Sequence, residues 1–101
     1  MLDIVQTPAF VKNYKKLQKK HYDVLKLKTV ITHIVNRDED ILKTRYSDHA
    51  LTGNWRGYRE LHIEKNWLLV YIIIDKELTL VLIRTGSHDD IFKRNNHWQL
   101  F

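Results

Sequence analysis

The spacing of apolar residues changes character near residue 50, and that change constrains the fold more than any other feature of the 101-residue chain. Before it, apolar side chains recur at helical intervals. Phe10, Tyr14, Leu17 and His21 fall at i, i+4, i+7 and i+11, on one face of a helix. Thr7-Pro8 marks its start: threonine suits the N-cap, and proline suits the first helical position, where an amide N–H has no partner to lose. At His21-Tyr22-Asp23 the apolar phase shifts. A second stripe runs through Val24, Leu27, Ile31 and Ile34, widened by Val30 and Val35. Asp23 is placed to cap it, Asn36 ends it, and residues 37–40 (RDED) read as loop. Two stripes out of phase fill one core better as an antiparallel helix pair than as one rod. Residues 2–6 form a short strand ahead of them.

Beyond residue 50 the period is two. Residues 55–63 alternate, with Leu61 and Ile63 on one face and Tyr58, Glu60 and His62 on the other. Trp67–Ile74 is an unbroken apolar run of eight, the pattern of a central strand covered on both faces. It falls far short of the ~20 residues that cross a bilayer. Asp75-Lys76-Glu77 makes a tight turn, residues 78–84 a further strand, and Thr85-Gly86-Ser87 ends it. Short links between these strands imply an antiparallel meander. Helices first and strands after predict an α+β fold, with an N-terminal helix pair packed on one face of a small, mainly antiparallel β-sheet. The length allows one domain. The absence of cysteine excludes disulfides and thiolate metal sites and favours a reducing, cytoplasmic setting. The opening MLDIVQTPAF has neither the basic stretch nor the apolar core of a secretory leader, so neither export nor membrane contact is expected.

Charge and histidine content point to chemistry. The net charge of +5 is concentrated in residues 12–28, which hold seven lysines (Lys12, Lys15, Lys16, Lys19, Lys20, Lys26, Lys28) against Asp23 alone. Such a stretch is either a solvated helix face or a footprint for a phosphate backbone. Six histidines are present. His21 continues an apolar stripe and reads as a half-buried packing residue, His33 reads as exposed, and His97 has no assignment. His49, His62 and His88 flank the strands, with Arg84 at the end of the last one. Two chemistries suit that set. One is a three-histidine metal site, although the spacings 49, 62 and 88 match no short ligand motif. The other is metal-free RNA cleavage, which needs a base for the ribose 2′-OH, an acid for the departing 5′ oxygen and a fixed cation on the phosphate. Imidazoles can fill both proton roles near neutral pH, and arginine can bind phosphate through two N–H groups. Trp67 and Tyr58 offer planes on which bases could stack.

Three blocks of this sequence resemble the YafQ-type toxins of the RelE/ParE superfamily, found in type II toxin–antitoxin systems. Residues 48–63 (DHALTGNWRGYRELHI) are similar to the pattern D-H-x-L-x-G-x-W-x-G-x-R-x-x-H-[IV]. Residues 66–71 (NWLLVY) and 84–92 (RTGSHDDIF) resemble the two blocks that follow it in the family. The resemblance covers residues 1–92 as one toxin domain and leaves 93–101 (KRNNHWQLF) as a short C-terminal extension. It implies a ribosome-dependent mRNA endonuclease that cuts in the A site by 2′-OH attack, using no metal and no cofactor. It implies a cognate DinJ/RelB-like antitoxin as partner, typically in a heterotetramer, with operator DNA bound only through the antitoxin. By matching positions it makes His88 the acid, gives His49 and His62 the roles of base and phosphate stabilisation, and puts Arg84 on the scissile phosphate. Trp67 and Phe92 pack against nucleotides, and Asn66 belongs to the substrate-binding set. Lys12, Lys15, Lys16, Lys19 and Lys20 then contact ribosomal RNA backbone.

One position departs from the family pattern. A carboxylate stands just before the tryptophan of the second block, and here that residue is Asn66. An amide keeps the shape of aspartate but can neither take a proton nor carry negative charge. Glu64, two residues earlier, is a conceivable shifted carboxylate. Two competing functions therefore remain beside the nuclease: a weakened toxin that serves mainly as an antitoxin-binding partner, and a ParE-like topoisomerase poison, whose family lacks this histidine set.

Overall fold

The computed structural model describes residues 2–92. The chain runs β1 (Asp3–Gln6), α1 (Pro8–Lys19), α2 (Val24–Val35), α3 (Glu39–Tyr46), β2 (His49–Ala50), β3 (Arg59–Glu64), β4 (Trp67–Ile74), β5 (Thr79–Gly86) and α4 (His88–Ile91). Single turns of 3-10 helix, Gly53–Trp55 and Asp75–Glu77, lead into β3 and separate β4 from β5. The sheet order is β1-β5-β4-β3-β2. The pairs from β2 to β5 are antiparallel, and β1 joins β5 in parallel. This is the predicted α+β architecture.

Local chemistry explains the helices. The Thr7 hydroxyl accepts from the Phe10 N–H at 3.0 Å and Pro8 occupies the first turn, so α1 begins where the sequence predicts. Asp23 caps α2 through the Leu25 N–H at 3.1 Å. Residues 37–40 are not all loop: Glu39 and Asp40 open α3, which the apolar pattern did not reveal. Only Leu42 of α3 is buried, so it shows no stripe. Its signal is charge, with Glu39 and Asp40 in the first turn and Lys43 and Arg45 in the last, matched to the helix dipole. The strand expected over 55–63 is shorter than the alternation suggests, beginning at Arg59 because Gly53–Trp55 turns first. The last strand runs on through Thr85 and Gly86.

The sheet has two apolar faces. Phe10, Leu17, Leu27, Val30, Ile34 and Leu42 from the helices meet Leu61, Ile63, Trp67, Leu69, Tyr71, Leu80 and Leu82 on one side. On the other, Leu68, Val70 and Ile91 are covered by Leu51, Trp55, Tyr58, Ile83 and Phe92. The central strand β4 is thus buried from Trp67 to Tyr71 on both faces. Among the described residues, the second face is covered by α4 and the 51–58 segment.

Candidate active site

Strand register lines up one row of side chains across the open face. His49 of β2 stands opposite Glu60 of β3, Glu60 opposite Val70 of β4, and Val70 opposite Arg84 of β5. Strands lie ~4.8 Å apart, so His49 and Arg84 are separated by three intervals, ~14 Å at the backbone, a gap that two long side chains and a phosphate can fill. The next row holds His62 opposite Leu68 and Leu68 opposite Gly86, two residues before His88.

Glu60 is the residue the sequence reasoning left without a role. It is a carboxylate only 7% exposed, and its Oε1 lies 3.4 Å from the Nε2 of His49 and 3.6 Å from the Nε2 of His62. Its parity with His62 was visible in the alternation of β3, and that was the available signal. The other nitrogen of His49 is fixed: Nδ1 donates to the Ser47 carbonyl at 2.8 Å, and a carbonyl only accepts. In the neutral ring Nε2 is therefore the bare nitrogen, and it is the atom that faces Glu60. Ser47 can offer that carbonyl because it ends α3 in the left-handed conformation, φ 54°. Behind it, the Asp48 carboxylate is 5% exposed, accepts from Arg59 Nε at 2.7 Å and takes the Tyr71 hydroxyl on its other oxygen. Burial, reinforced by the bond to Asp48, pushes the Tyr71 hydroxyl well above its ordinary pKa.

At the far end of the row, β5 carries a bulge. Val70 faces Arg84 while Tyr71 faces Leu82, so Ile83 is an extra residue. Leu80 and Leu82 point to the helix side; the inserted residue brings Arg84 to the open face and Thr85 to the helix side. His88 starts α4, which Ser87 caps through the Asp90 N–H at 3.1 Å. The Asn66 side-chain oxygen accepts from the His88 backbone N–H at 3.5 Å, so the amide stands beside the histidine the resemblance makes the acid. An aromatic series runs along this end: Tyr58 against Trp55 at 5.6 Å, Trp55 against Phe92 at 5.2 Å, and Phe92 against His88 at 5.1 Å between ring centroids.

Several expectations need correction. Trp67 does not face a substrate. It is 1% exposed on the helix side, its ring edge-on to Tyr22 at 5.0 Å and its Nε1 donating to Thr85 Oγ1 at 3.0 Å. In a strand that is apolar at both parities, sequence cannot say which face a residue takes. Among the described residues, the aromatics on the open face are Trp55, Tyr58 and Phe92. Glu64 is paired with Lys26 of α2. His21 is exposed, in a turn at φ 63° beyond the end of α1, and does not extend its packed stripe. His33 is half-buried, with Nδ1 2.9 Å from Asp38 and its ring beside Tyr46. Among the described residues no three His, Cys, Asp or Glu side chains gather as for a metal ion, so His49, His62 and His88 do not form the metal triad considered above. His97 and the rest of the C-terminal extension lie outside the described residues.

Four of the five lysines expected on RNA line two clefts, and Lys19 lines neither. Lys12 and Lys15 line one of about 790 Å³ with Gln6, Pro8, Val11 and Arg84. Lys12, Lys16 and Lys20 line another of about 360 Å³ beside Thr85 and Gly86, where Lys16 stands 3.8 Å from Asp90.

Comparison with known proteins bears on this arrangement. Residues 2–93 match the model of a family described as the bacterial toxin of a type II toxin–antitoxin system, YafQ. The mRNA interferase toxin YafQ of Escherichia coli K12 is 40% identical over 90 residues, 89% of this chain and 95% of that protein. The crystal structure of YafQ from Escherichia coli strain BL21(DE3) is similar with a TM-score of 0.81 at 37% identity, covering 91% of this chain and 99% of that one. YafQ in the crystal structure of the Escherichia coli DinJ–YafQ complex gives 0.80 at 38% identity, with the same coverage of both chains.

Proposed function

This chain belongs to the YafQ family of type II toxin–antitoxin toxins, and on that premise we propose that it is an mRNA interferase that cuts messages in the ribosomal A site and so stops translation. The observation that carries the reading is the register row His49–Glu60–Val70–Arg84, beside the row His62–Leu68–Gly86 that leads to His88 two residues on. It offers a proton acceptor, a cation and a second imidazole over one surface, the set that transesterification at phosphorus needs.

The reaction runs as follows. His49 or His62 takes the proton of the ribose 2′-OH, and the Glu60 carboxylate, 3.4 Å and 3.6 Å from their Nε2 atoms, stabilises the imidazolium that forms. The 2′ oxygen bonds to phosphorus while Arg84 binds the non-bridging oxygens, whose charge grows in the pentavalent transition state. The P–O5′ bond breaks and His88 gives that oxygen its proton. The products are a 2′,3′-cyclic phosphate and a 5′-OH. Phe92 and Trp55 pack against the flanking bases. Lys12, Lys15, Lys16, Lys19 and Lys20 contact RNA backbone, a role supported for all but Lys19 by the two basic clefts that adjoin β5. Residues 1–92 act as the toxin domain and 93–101 as an extension. A DinJ-like antitoxin neutralises the chain in the cytoplasm; no helix among the described residues is long and apolar enough to cross a membrane.

Asn66 favours a second reading of degree, a toxin of reduced activity. It meets the His88 backbone without the charge an aspartate would bring. One experiment addresses both readings: primer extension on a reporter mRNA in reconstituted translation, with and without ribosomes, for the native chain, His88→Ala and Asn66→Asp. Ribosome-dependent cuts at codons, lost in His88→Ala, are expected, with Asn66→Asp at least tenfold faster. An unchanged Asn66→Asp rate rejects the reduced-activity reading. No cuts from any of the three rejects the nuclease.

A further inference from the structure

Arg84 is flanked on both sides by backbone groups that α1 holds. β1 ends at Gln6, opposite Leu82, and beyond it the outer edge of β5 has no strand partner among the described residues. α1 takes its place. The Thr7 N–H donates to the Leu82 carbonyl at 3.1 Å, the Thr7 hydroxyl donates to the Ile83 carbonyl at 2.8 Å, and the Thr85 N–H donates to Asn13 Oδ1 at 3.2 Å. The stretch so pinned contains the bulge at Ile83.

A bulge is a place where register can move, and a shift of one residue sends every side chain beyond it to the opposite face. Here the shift would turn Arg84 toward the helices and Thr85 toward the open face. The observed register is recorded by two sets of bonds on Thr85. Its hydroxyl accepts from Trp67 Nε1 and donates to the Leu68 carbonyl at 2.8 Å, and its N–H, in a residue 1% exposed, goes to Asn13. Asn13 is half-buried and its oxygen is committed to this bond.

We propose that Asn13, assisted by Thr7, is a positioning residue for RNA cleavage: from α1 it holds the bulged end of β5 in the register that presents Arg84 to the phosphate. This rests on the reading of Arg84 as the phosphate-binding group. The bond acts on the transition state through Arg84 and not on docking. Loss of the Asn13 acceptor therefore lowers kcat and leaves KM for the programmed ribosome in place.

The test uses the full chain in the reconstituted cleavage reaction under single-turnover and ribosome-saturation conditions. Asn13→Ala, and Asn13→Leu as an isostere without an acceptor, are expected to lower kcat tenfold or more with KM within twofold. Asn13→Asp keeps an oxygen at the same place and is expected to recover kcat to within threefold. In an Arg84→Ala background, Asn13→Ala is expected to add less than a twofold further loss, because the group it positions is gone. A native kcat in both Asn13→Ala and Asn13→Leu, an Asp variant as poor as Ala, or losses that multiply in the double variant would each overturn the proposal while leaving Arg84 in its role. A native kcat in Arg84→Ala would instead overturn the reading of Arg84, and the positioning role with it.

Discussion

Replacing Trp67 by phenylalanine separates packing from substrate contact. The indole is 1% exposed and donates to Thr85 Oγ1 at 3.0 Å. Phenylalanine loses that bond, worth ~1 kcal/mol net. The bond's other end is not orphaned, since Thr85 Oγ1 still donates to the Leu68 carbonyl. The smaller ring leaves a void beside Tyr22, which at ~24 cal/mol per Å³ of residual cavity costs roughly another 1 kcal/mol. The sum, ~2 kcal/mol, corresponds to a fall of roughly 8–16 °C in Tm for a domain of this size. Thermal unfolding followed by circular dichroism checks the first part. Cleavage of reporter mRNA at 25 °C, where the variant remains folded, checks the second, and its kcat/KM is expected to stay within threefold of native. A tenfold loss of kcat/KM with an unchanged Tm would refute the assignment of Trp67 to the core and return it to the substrate.

Two further variants probe the polar groups behind the site. Glu60→Gln keeps the side chain's shape but removes the charge between His49 and His62, and is expected to lower the single-turnover rate by 10- to 100-fold with little change in Tm; a native rate would remove Glu60 from the mechanism. Tyr71→Phe leaves one oxygen of the buried Asp48 without its donor, expected to cost about 1–3 kcal/mol at pH 7 in urea unfolding. The folded-state pKa of Tyr71 is raised, so its contribution is full below the ordinary value of 10.0 and is lost as pH rises above it. Stability of the native chain should therefore fall above pH 10 more steeply than that of Tyr71→Phe, and parallel curves would contradict the bond.

What was legible in the sequence follows from which interactions are local. Thr7-Pro8 and Asp23 announce their helices because capping is decided within three residues. Trp67–Ile74 announces a central strand because only burial on both faces tolerates such a run. Helix α3 was hidden because it buries Leu42 alone and is held by contacts with α2 and β3 that no window of sequence contains. The histidines and Arg84 were identifiable as chemistry, yet their row depends on a bulge that has no signature around Ile83. Glu60 was placed on the correct face by alternation. Its part in the site became visible only when β2 brought His49 alongside it.

The parallel pairing of β1 with β5 has a consequence for the life history of the chain. Asp3 pairs with Thr79 and Gln6 with Leu82, so the first described strand waits for the fifth. At synthesis rates of ~5–20 residues per second, that wait is roughly 4–15 s. Thr7 and Asn13 have nothing to hold until residues 83–85 arrive, and Arg84 and His88 are themselves among the late residues. The β1–β5 edge of the sheet can close only after residues 79–82 have been made. Until residues 79–85 have been made, the strand edge that Thr7 and Asn13 pin, and the row that ends at Arg84, do not exist.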